Sequence, residues 1–202
     1  MKNIDNPKLV SIIRDIYNSN DDIMLSLHEP RFLSDEKELL NKCIDSTFVS
    51  TAGEHVTLFE DKIKEYTGAK YAIATSNGTS ALHIALLVAG VKPLDEVITQ
   101  SFTFVATCNA IKYCNAEPVF VDISKDTLGM CPKSLKNWIS NNTIKKDKKL
   151  ININTGAKIS AVLPMHSFGH PSDLDELITI CNENNILLIE DAAESLGSFY
   201  KD

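Results

Sequence analysis

The chain has 202 residues, of which 44% are hydrophobic and 23% are charged. This composition is typical of a globular protein and excludes disordered, collagen-like and coiled-coil chains. The formal net charge of −7 provides no basic field for nucleic acid or anionic lipid. No apolar run approaches the ~20 residues of a membrane helix, and early charged residues argue against a signal peptide. We therefore expect a cytoplasmic protein with no nucleic-acid or membrane partner.

Cysteine and histidine give no sign of a metal site. The five cysteines form no C-x-x-C pair, so we interpret them as small buried hydrophobic residues. His166 and His170 are four residues apart, but Gly169 and Pro171 prevent the helix that a metal pair at this spacing requires. No metal is predicted.

The first third of the chain is predicted to be helical. Asn6 and Pro7 have the residue types of a helix start, and apolar residues then recur at helical spacing. Ser34 opens a second predicted helix, and a third one carries an apolar stripe and ends at Gly68.

From residue 71 onward, short apolar runs alternate with helical stretches. The predicted strands are Tyr71–Ala74, Val97–Thr99, Val119–Val121, Ile159–Leu163 and Ile186–Ile189. The predicted helices are Ser80–Ala89, Thr103–Cys114, Pro132–Ser140 and Asp173–Asn184. Right-handed crossovers between such elements give a largely parallel sheet covered by helices on both faces. The lysine-rich stretch 145–149 is interpreted as a solvated loop.

The predicted organisation is therefore an α/β protein in two parts. Residues 1–33 form an N-terminal helix and lead-in segment. Residues 34–202 form one large α/β domain.

The first candidate site is the turn after the first predicted strand. Ser76-Asn77-Gly78-Thr79 leads directly into a helix, whose free backbone N–H groups and dipole would bind a phosphate. An ordinary capped turn is an equal alternative. The chain has neither G-x-G-x-x-G nor G-K-[ST], so no dinucleotide fingerprint and no P-loop is predicted. The phosphate would belong to a small cofactor.

The second candidate is Asp191, which follows the apolar fifth strand and precedes two alanines. A buried carboxylate needs a partner, and a cationic ring nitrogen would supply a hydrogen bond worth roughly 1.5–3 kcal/mol. The alternative is a helix N-cap, a role that Glu190 could fill equally. Phe102 and Phe104 follow the second strand and are either core residues or a stacking surface for a flat ring. Phosphate site, aromatic surface and aspartate together indicate pyridoxal phosphate.

Six ordered sequence blocks carry a resemblance to a known family. They are NGTSALH at 77–83, DEVI at 95–98, FTFVAT at 102–107, PVFVD at 118–122, MHSFGHP at 165–171 and EDAAESLG at 190–197. From about Leu27 to its last residue, the chain resembles the DegT/DnrJ/StrS nucleotide-sugar aminotransferases. The segments Leu27–Phe32 and Asn154–Gly156 are similar, more narrowly, to the enzymes that aminate UDP-4-keto-6-deoxy-N-acetylglucosamine in the legionaminic acid pathway.

This resemblance implies a three-layer α/β/α fold like that of aspartate aminotransferase, with pyridoxal 5′-phosphate as cofactor. It places Gly78 and Thr79 on the cofactor phosphate, Phe104 on the ring and Asp191 on the pyridine nitrogen. Glu194 stands where many relatives carry Gln or His near the ring's 3-hydroxyl.

Two further positions follow from the resemblance. His166 would either support neighbouring residues or face the substrate. The segment Ser50–Gly53, with Gly53 at its end, resembles one that these homodimers contribute to the partner's site, so the active site would be shared.

The resemblance also locates a residue outside this chain. The Schiff-base lysine of the family lies some tens of residues beyond Asp191, whereas the chain ends at Asp202. We therefore expect the large domain to be incomplete at its C-terminus and the chain to be inactive alone.

The implied reaction transfers an amino group from glutamate to the keto carbon of a nucleotide-linked 4-keto-6-deoxy sugar, for cell-surface glycans. Asp191 would keep the ring nitrogen protonated. One alternative is a sugar 3-dehydratase of the same fold, which resembles these enzymes but has His in place of the lysine. The other is a non-catalytic fragment that at most binds a phosphate ligand.

Overall fold

The computed structural model describes residues 6–20, 22–26, 30–50 and 53–201. The chain divides into two compact units, Met1–Lys62 and Ile63–Asp202. Across these described ranges, every helix is too short or too polar to cross a membrane.

The predicted N-terminal helices are confirmed. Helix α1 spans Asn6–Tyr17, α2 spans Glu36–Asp45 and α3 spans Glu54–Thr67. The left-handed conformation of Gly68, at φ +70°, follows the last turn of α3. Neither α2 nor α3 contains a buried residue. Residues 27–29 and 51–52, which belong to two of the family-like segments, lie outside the described residues.

The second unit is built on a mixed sheet. Its strands are β1 (Glu96–Gln100), β2 (Glu117–Val121), β3 (Thr143–Lys146), β4 (Lys149–Asn152), β5 (Lys158–Leu163) and β6 (Leu187–Leu188). The order is β2-β1-β5-β4-β3, and β6 pairs with the second half of β5. The pairs β1–β2, β1–β5 and β5–β6 are parallel, which confirms the parallel arrangement predicted for these four strands.

The antiparallel part of the sheet corrects one prediction. The stretch 145–149 is not a loop, because it forms the turn and parts of both strands of the β3–β4 hairpin. Asp147 and Lys148 connect the strands with φ values of +49° and +62°. The lysines of β3 are exposed, as is usual on edge strands that must avoid pairing with other chains. Solvation was therefore predicted correctly, but the backbone conformation was not.

The first predicted strand is also wrong. Residues 71–74 have no regular structure, and the side chains of Tyr71 and Ile73 are more than 70% exposed. A strand exists only where a neighbour completes its hydrogen bonds, and none of the six described strands lies beside this segment.

Four helices cover the sheet and match the predicted ones to within a few residues. They are α4 (Gly78–Val88), α5 (Val105–Tyr113), α6 (Pro132–Asn142) and α7 (Leu174–Asn184).

Strand alternation sends side chains to opposite faces, so two cores form. Val97 packs with residues of α4 and α5, whereas its neighbour Ile98 packs with residues of α6 and α7. The predicted three layers are therefore present, with helices on both faces of the sheet.

Candidate functional site

The turn before α4 has the local geometry of an anion site. The Asn77 side chain caps the helix, since its Oδ1 accepts the backbone N–H of Ser80 at 2.8 Å. The backbone N–H groups of Gly78 and Thr79, at the first positions of the helix, make no hydrogen bond within the helix because they precede its first full turn. A Cβ built on Gly78 would meet no atom within 4 Å, so open space lies in front of this turn. The structure thus confirms the capped turn, and phosphate binding at the same helix start stays a prediction.

Asp191 is buried at the carboxyl edge of the sheet, with 4% of its surface exposed. Its backbone bridges to the segment after β5, because its N–H donates to the Pro164 carbonyl and its carbonyl accepts the His166 N–H. No helix begins at Asp191 in the described chain, which rules out the helix-cap alternative. The carboxylate is therefore the buried end of a strand-like segment whose preceding residues, 187–190, are exposed or half-buried.

The Asp191 carboxylate has two protein partners of unequal strength. Oδ2 accepts the Thr107 hydroxyl at 2.6 Å, and Oδ1 accepts the Ala193 backbone N–H at 3.3 Å. Thr107 is fully buried in α5, and its Oγ1 lies 2.6 Å from that of Thr103. A threonine hydroxyl has one proton. If Thr107 donates to a charged carboxylate, it must accept from Thr103.

An aromatic pocket of about 230 Å³ lies beside this hydroxyl chain. Its lining combines residues that follow β1, β5 and β6, and consists of Phe102, Thr103, Phe104, Met165, Ser167, Phe168 and Glu194. Phe104 is 67% exposed, which excludes the interpretation of this ring as a core residue. Phe102 and Phe168 meet edge to face with ring centroids 5.9 Å apart.

Glu194 is placed by a strained turn. Its Oε2 accepts the backbone N–H of Phe168 at 2.7 Å. Phe168 has a left-handed φ of +56°, unusual for an aromatic residue. Gly169 follows at φ +78°, and a Cβ there would lie 2.7 Å from the Glu194 carbonyl. Backbone strain of this kind persists only where surrounding contacts maintain it. Here the hydrogen bond from the Phe168 N–H to the Glu194 carboxylate is such a contact.

His166 is buried, and both of its ring nitrogens have protein partners. Nδ1 accepts the Ser172 backbone N–H at 3.1 Å, so the ring proton lies on Nε2, which donates to Glu190 Oε2 at 2.9 Å. This geometry favours the first alternative for His166, that it supports neighbouring residues.

The structure brings three of the predicted residues, Phe104, Glu194 and Asp191, together at one edge of the sheet. Phe104 and Glu194 line the same pocket, and Asp191 reaches it through Thr107 and Thr103. No hydrogen bond joins the turn at Gly78 to these residues within the part of the chain described here.

The sequence assigned no role to three residues at the site. Thr103 and Thr107 are four apart at the start of a predicted helix, a spacing that places both on one face. Gln100 is a fully buried polar residue that ends β1; it donates to the Phe102 carbonyl at 2.9 Å and accepts the Met165 N–H at 3.3 Å. The sequence signal for Gln100 was a polar residue at the end of an otherwise apolar strand.

Comparison with known proteins places this chain in a family. Residues 31–202 match the DegT/DnrJ/EryC1/StrS aminotransferase family. The chain is 37% identical over 177 residues to GDP-perosamine synthase of Escherichia coli O157:H7, covering 88% of this chain and 44% of the relative. It is 38% identical over 149 residues to UDP-2-acetamido-2-deoxy-3-oxo-D-glucuronate aminotransferase of Pseudomonas aeruginosa, covering 74% of this chain and 37% of that one. The chain thus spans less than half the length of these curated relatives.

A solved structure supports the same assignment. NtdA from Bacillus subtilis, with bound cofactor PMP, is 30% identical, with a TM-score of 0.68 over 92% of this chain and 41% of the NtdA chain. The three-layer architecture is accordingly that of the aminotransferase large domain, as the sequence blocks implied. The chain belongs to the DegT/DnrJ/EryC1/StrS aminotransferase family.

Proposed function

We propose that this chain forms the cofactor-binding part of a pyridoxal 5′-phosphate-dependent nucleotide-sugar aminotransferase. The observation that carries the proposal is the buried Asp191 carboxylate, which ends a strand-like segment and is linked through hydroxyls to an open aromatic pocket. An uncompensated buried charge is costly. A ligand that offers a cationic N–H would complete its hydrogen bonding.

The residues present fit such a cofactor. Phe104 presents an exposed aromatic face, and the Asp191 carboxylate has an Oδ1 with only one long hydrogen bond. Gly78 is the first residue of α4, and the space in front of it is open. The Ser195 hydroxyl, four residues after Asp191, is buried without a hydrogen-bond partner in the described residues. These features suit a flat ring that carries a protonated nitrogen and a separate phosphate group.

Each residue would contribute a distinct part of the chemistry. When bound, the cofactor supplies an electron sink for proton removal next to an amino group. Asp191 would hold the proton on the ring nitrogen, Phe104 would orient the ring, and Gly78 with Thr79 would bind the phosphate. Glu194, fixed against the Phe168 N–H, would face the 3-hydroxyl side of the ring. His166 would hold the segment that contains Asp191 in place through its hydrogen bond to Glu190.

The names of two relatives support the proposed substrate class. Two curated relatives are named for amino sugars carried on GDP and UDP. We propose a nucleotide-linked 4-keto-6-deoxy sugar as acceptor and glutamate as donor, for cell-surface glycan biosynthesis. The legionaminic acid precursor is the narrower form of this proposal and rests on the segments Leu27–Phe32 and Asn154–Gly156.

A homodimer with a shared active site completes the proposal. Apolar side chains of α4 are exposed on the face away from the sheet, including Ile84, Leu87 and Val88. Exposed apolar patches commonly mark protein interfaces. Sedimentation of the purified chain tests this part, and a monomer at all concentrations would contradict it.

The test of the site replaces Asp191 with Asn in the full-length product of the gene. Asn keeps size and polarity but removes the charge that holds the ring proton. With saturating cofactor, we expect turnover to fall on the order of 10²-fold, because one preorganised electrostatic partner is lost. Measured turnover, cofactor occupancy and melting temperature together report the outcome.

The matched control is Asp126→Asn, which removes the same charge from an exposed turn. It should leave turnover unchanged. Near-normal turnover of Asp191→Asn, with only a lowered melting temperature, would contradict the proposed role.

A further inference from the structure

We propose that Thr107 is the positioning residue of Asp191, with Thr103 behind it as the donor that fixes the direction of the hydrogen-bond chain. The inference deepens the proposed function and rests on its assignment of Asp191 to a cationic ring nitrogen. Thr107 and Asp191 are 84 residues apart in sequence and come together only through the fold.

The first step is the occupancy of the two carboxylate oxygens. Thr107 Oγ1 lies 2.6 Å from Oδ2, a short hydroxyl–carboxylate distance, whereas the Ala193 N–H lies 3.3 Å from Oδ1. Hydrogen bonds to an ionised acceptor are about twice as strong as neutral ones. Thr107 therefore anchors one oxygen and leaves the other as the one available to a ligand.

The second step is the direction of the chain. Thr107 has one proton, and when it donates to Asp191 it accepts from Thr103, whose Oγ1 is 2.6 Å away. In the reverse direction Asp191 would be protonated, and Thr103 would donate to the Met165 sulfur at 3.1 Å. Thioether sulfur is a weak acceptor. The forward direction, with Asp191 charged, therefore makes the stronger set of bonds.

The third step is rigidity. Thr107 is fully buried on α5, and the backbone of Asp191 is held by Pro164 and His166. Asp191 is thus fixed at its backbone and at one carboxylate oxygen. This orients the remaining carboxylate oxygen before any ligand arrives. Such preorganisation is what makes an electrostatic partner effective in catalysis.

The experiment measures binding selectivity by titration calorimetry. The probes are pyridoxamine 5′-phosphate and its analogue in which C–H replaces the ring nitrogen. We expect the wild-type protein to bind pyridoxamine 5′-phosphate at least about tenfold more tightly than the analogue. This ratio corresponds to one hydrogen bond to a charged group. Thr107→Val should reduce this ratio to about threefold or less, and Thr107→Ser should restore it.

The matched control is Thr99→Val. Thr99 is equally buried and donates to the Leu163 carbonyl at 2.7 Å, whereas the Asp191 carboxylate bonds to Thr107 and Ala193. It should lower stability but keep the selectivity ratio. A wild-type ratio near one would overturn both the proposed function at Asp191 and this inference. A large wild-type ratio that Thr107→Val leaves unchanged would overturn the inference alone.

A second readout requires no ligand. The readout is a double-mutant cycle measured by urea unfolding. Thr107→Val should lower the folding equilibrium constant by about tenfold in the wild-type background and by far less in the Asp191→Ala background. Equal effects in both backgrounds would contradict the coupling between the two residues.

Discussion

Gly169 is the residue at which backbone conformation and close packing coincide. Its φ is +78°, and a Cβ would lie 2.7 Å from the Glu194 carbonyl. Gly156 has a similar φ of +75°, but a Cβ there would meet nothing within 4 Å. The pair separates the conformational cost of a side chain from the cost of steric overlap.

We expect Gly156→Ala to lower the free energy of unfolding by about 1–2 kcal/mol, through the left-handed conformation alone. Gly169→Ala should lose about 1–3 kcal/mol more, because the segment that carries Glu194 must move. Urea unfolding measures both values. Equal losses would show that the segment 191–198 can move aside without lowering the free energy of unfolding.

Cys181 illustrates burial at the residue scale. All five cysteines are free thiols, but only Cys114 and Cys181 are buried, so the prediction of buried cysteines is confirmed for these two. Burial raises the pKa of the Cys181 thiol from 9.0 to about 12. The thiolate is the reactive form.

We expect iodoacetamide at pH 8 to modify native Cys181 more than about 100-fold more slowly than Cys43, which is partly exposed on α2. Because the folded pKa lies above the unfolded one, this thiol also contributes stability that is complete below pH 9 and declines as pH rises toward 12. Mass spectrometry after timed alkylation gives the rates. Similar rates at both cysteines would contradict the stable burial of Cys181.

At the scale of elements, the β3–β4 hairpin uses residues that do not suit its turn. Asp147 and Lys148 both have positive φ, the geometry of a two-residue turn that normally takes Asn-Gly. The exposed lysines around them obscured the hairpin in the sequence.

Lys148→Gly should therefore raise the free energy of unfolding by up to about 1 kcal/mol, because glycine adopts φ +62° without strain. Lys149→Gly, one residue later, should lower it by a similar amount because Lys149 already pairs with Lys146 in the ladder, where glycine is unfavourable. Thermal or urea unfolding compares the two variants. Destabilisation by both would argue against the turn.

At the scale of the whole molecule, the helices differ in how far they are supported. Helix α2 has ten residues and none is buried, whereas α7 has eleven and buries Leu177, Ile180 and Cys181. Isolated helices of this length are marginal in water, so tertiary burial decides their persistence.

Hydrogen exchange should accordingly distinguish the two helices. We expect the amides of α2 to exchange with little protection and those of α7 to approach the protection of the sheet. Mass spectrometry of exchanged peptides from both helices provides the measurement. Comparable protection would mean that contacts on α2 arise in an assembly of chains.

The sequence by itself determined the parts of this protein that depend on local pattern. Apolar runs and helix boundaries located β1, β2, β5, β6 and seven helices, and the strand-end rule selected Phe104 and Asp191 as residues near one edge, whereas Glu194 was named only through the family resemblance. Residue type and local order were sufficient for this, because strand ends and helix starts are defined by near neighbours.

Only the tertiary structure decided what depends on distant partners. Residues 71–74 have strand-like composition without a neighbouring strand, and the solvated lysines form a hairpin because β5 lies beside β4. The Thr107–Asp191 bond joins residues far apart in sequence. Pairing and side-chain hydrogen bonds are properties of two segments at once, so a pattern within either segment cannot specify them.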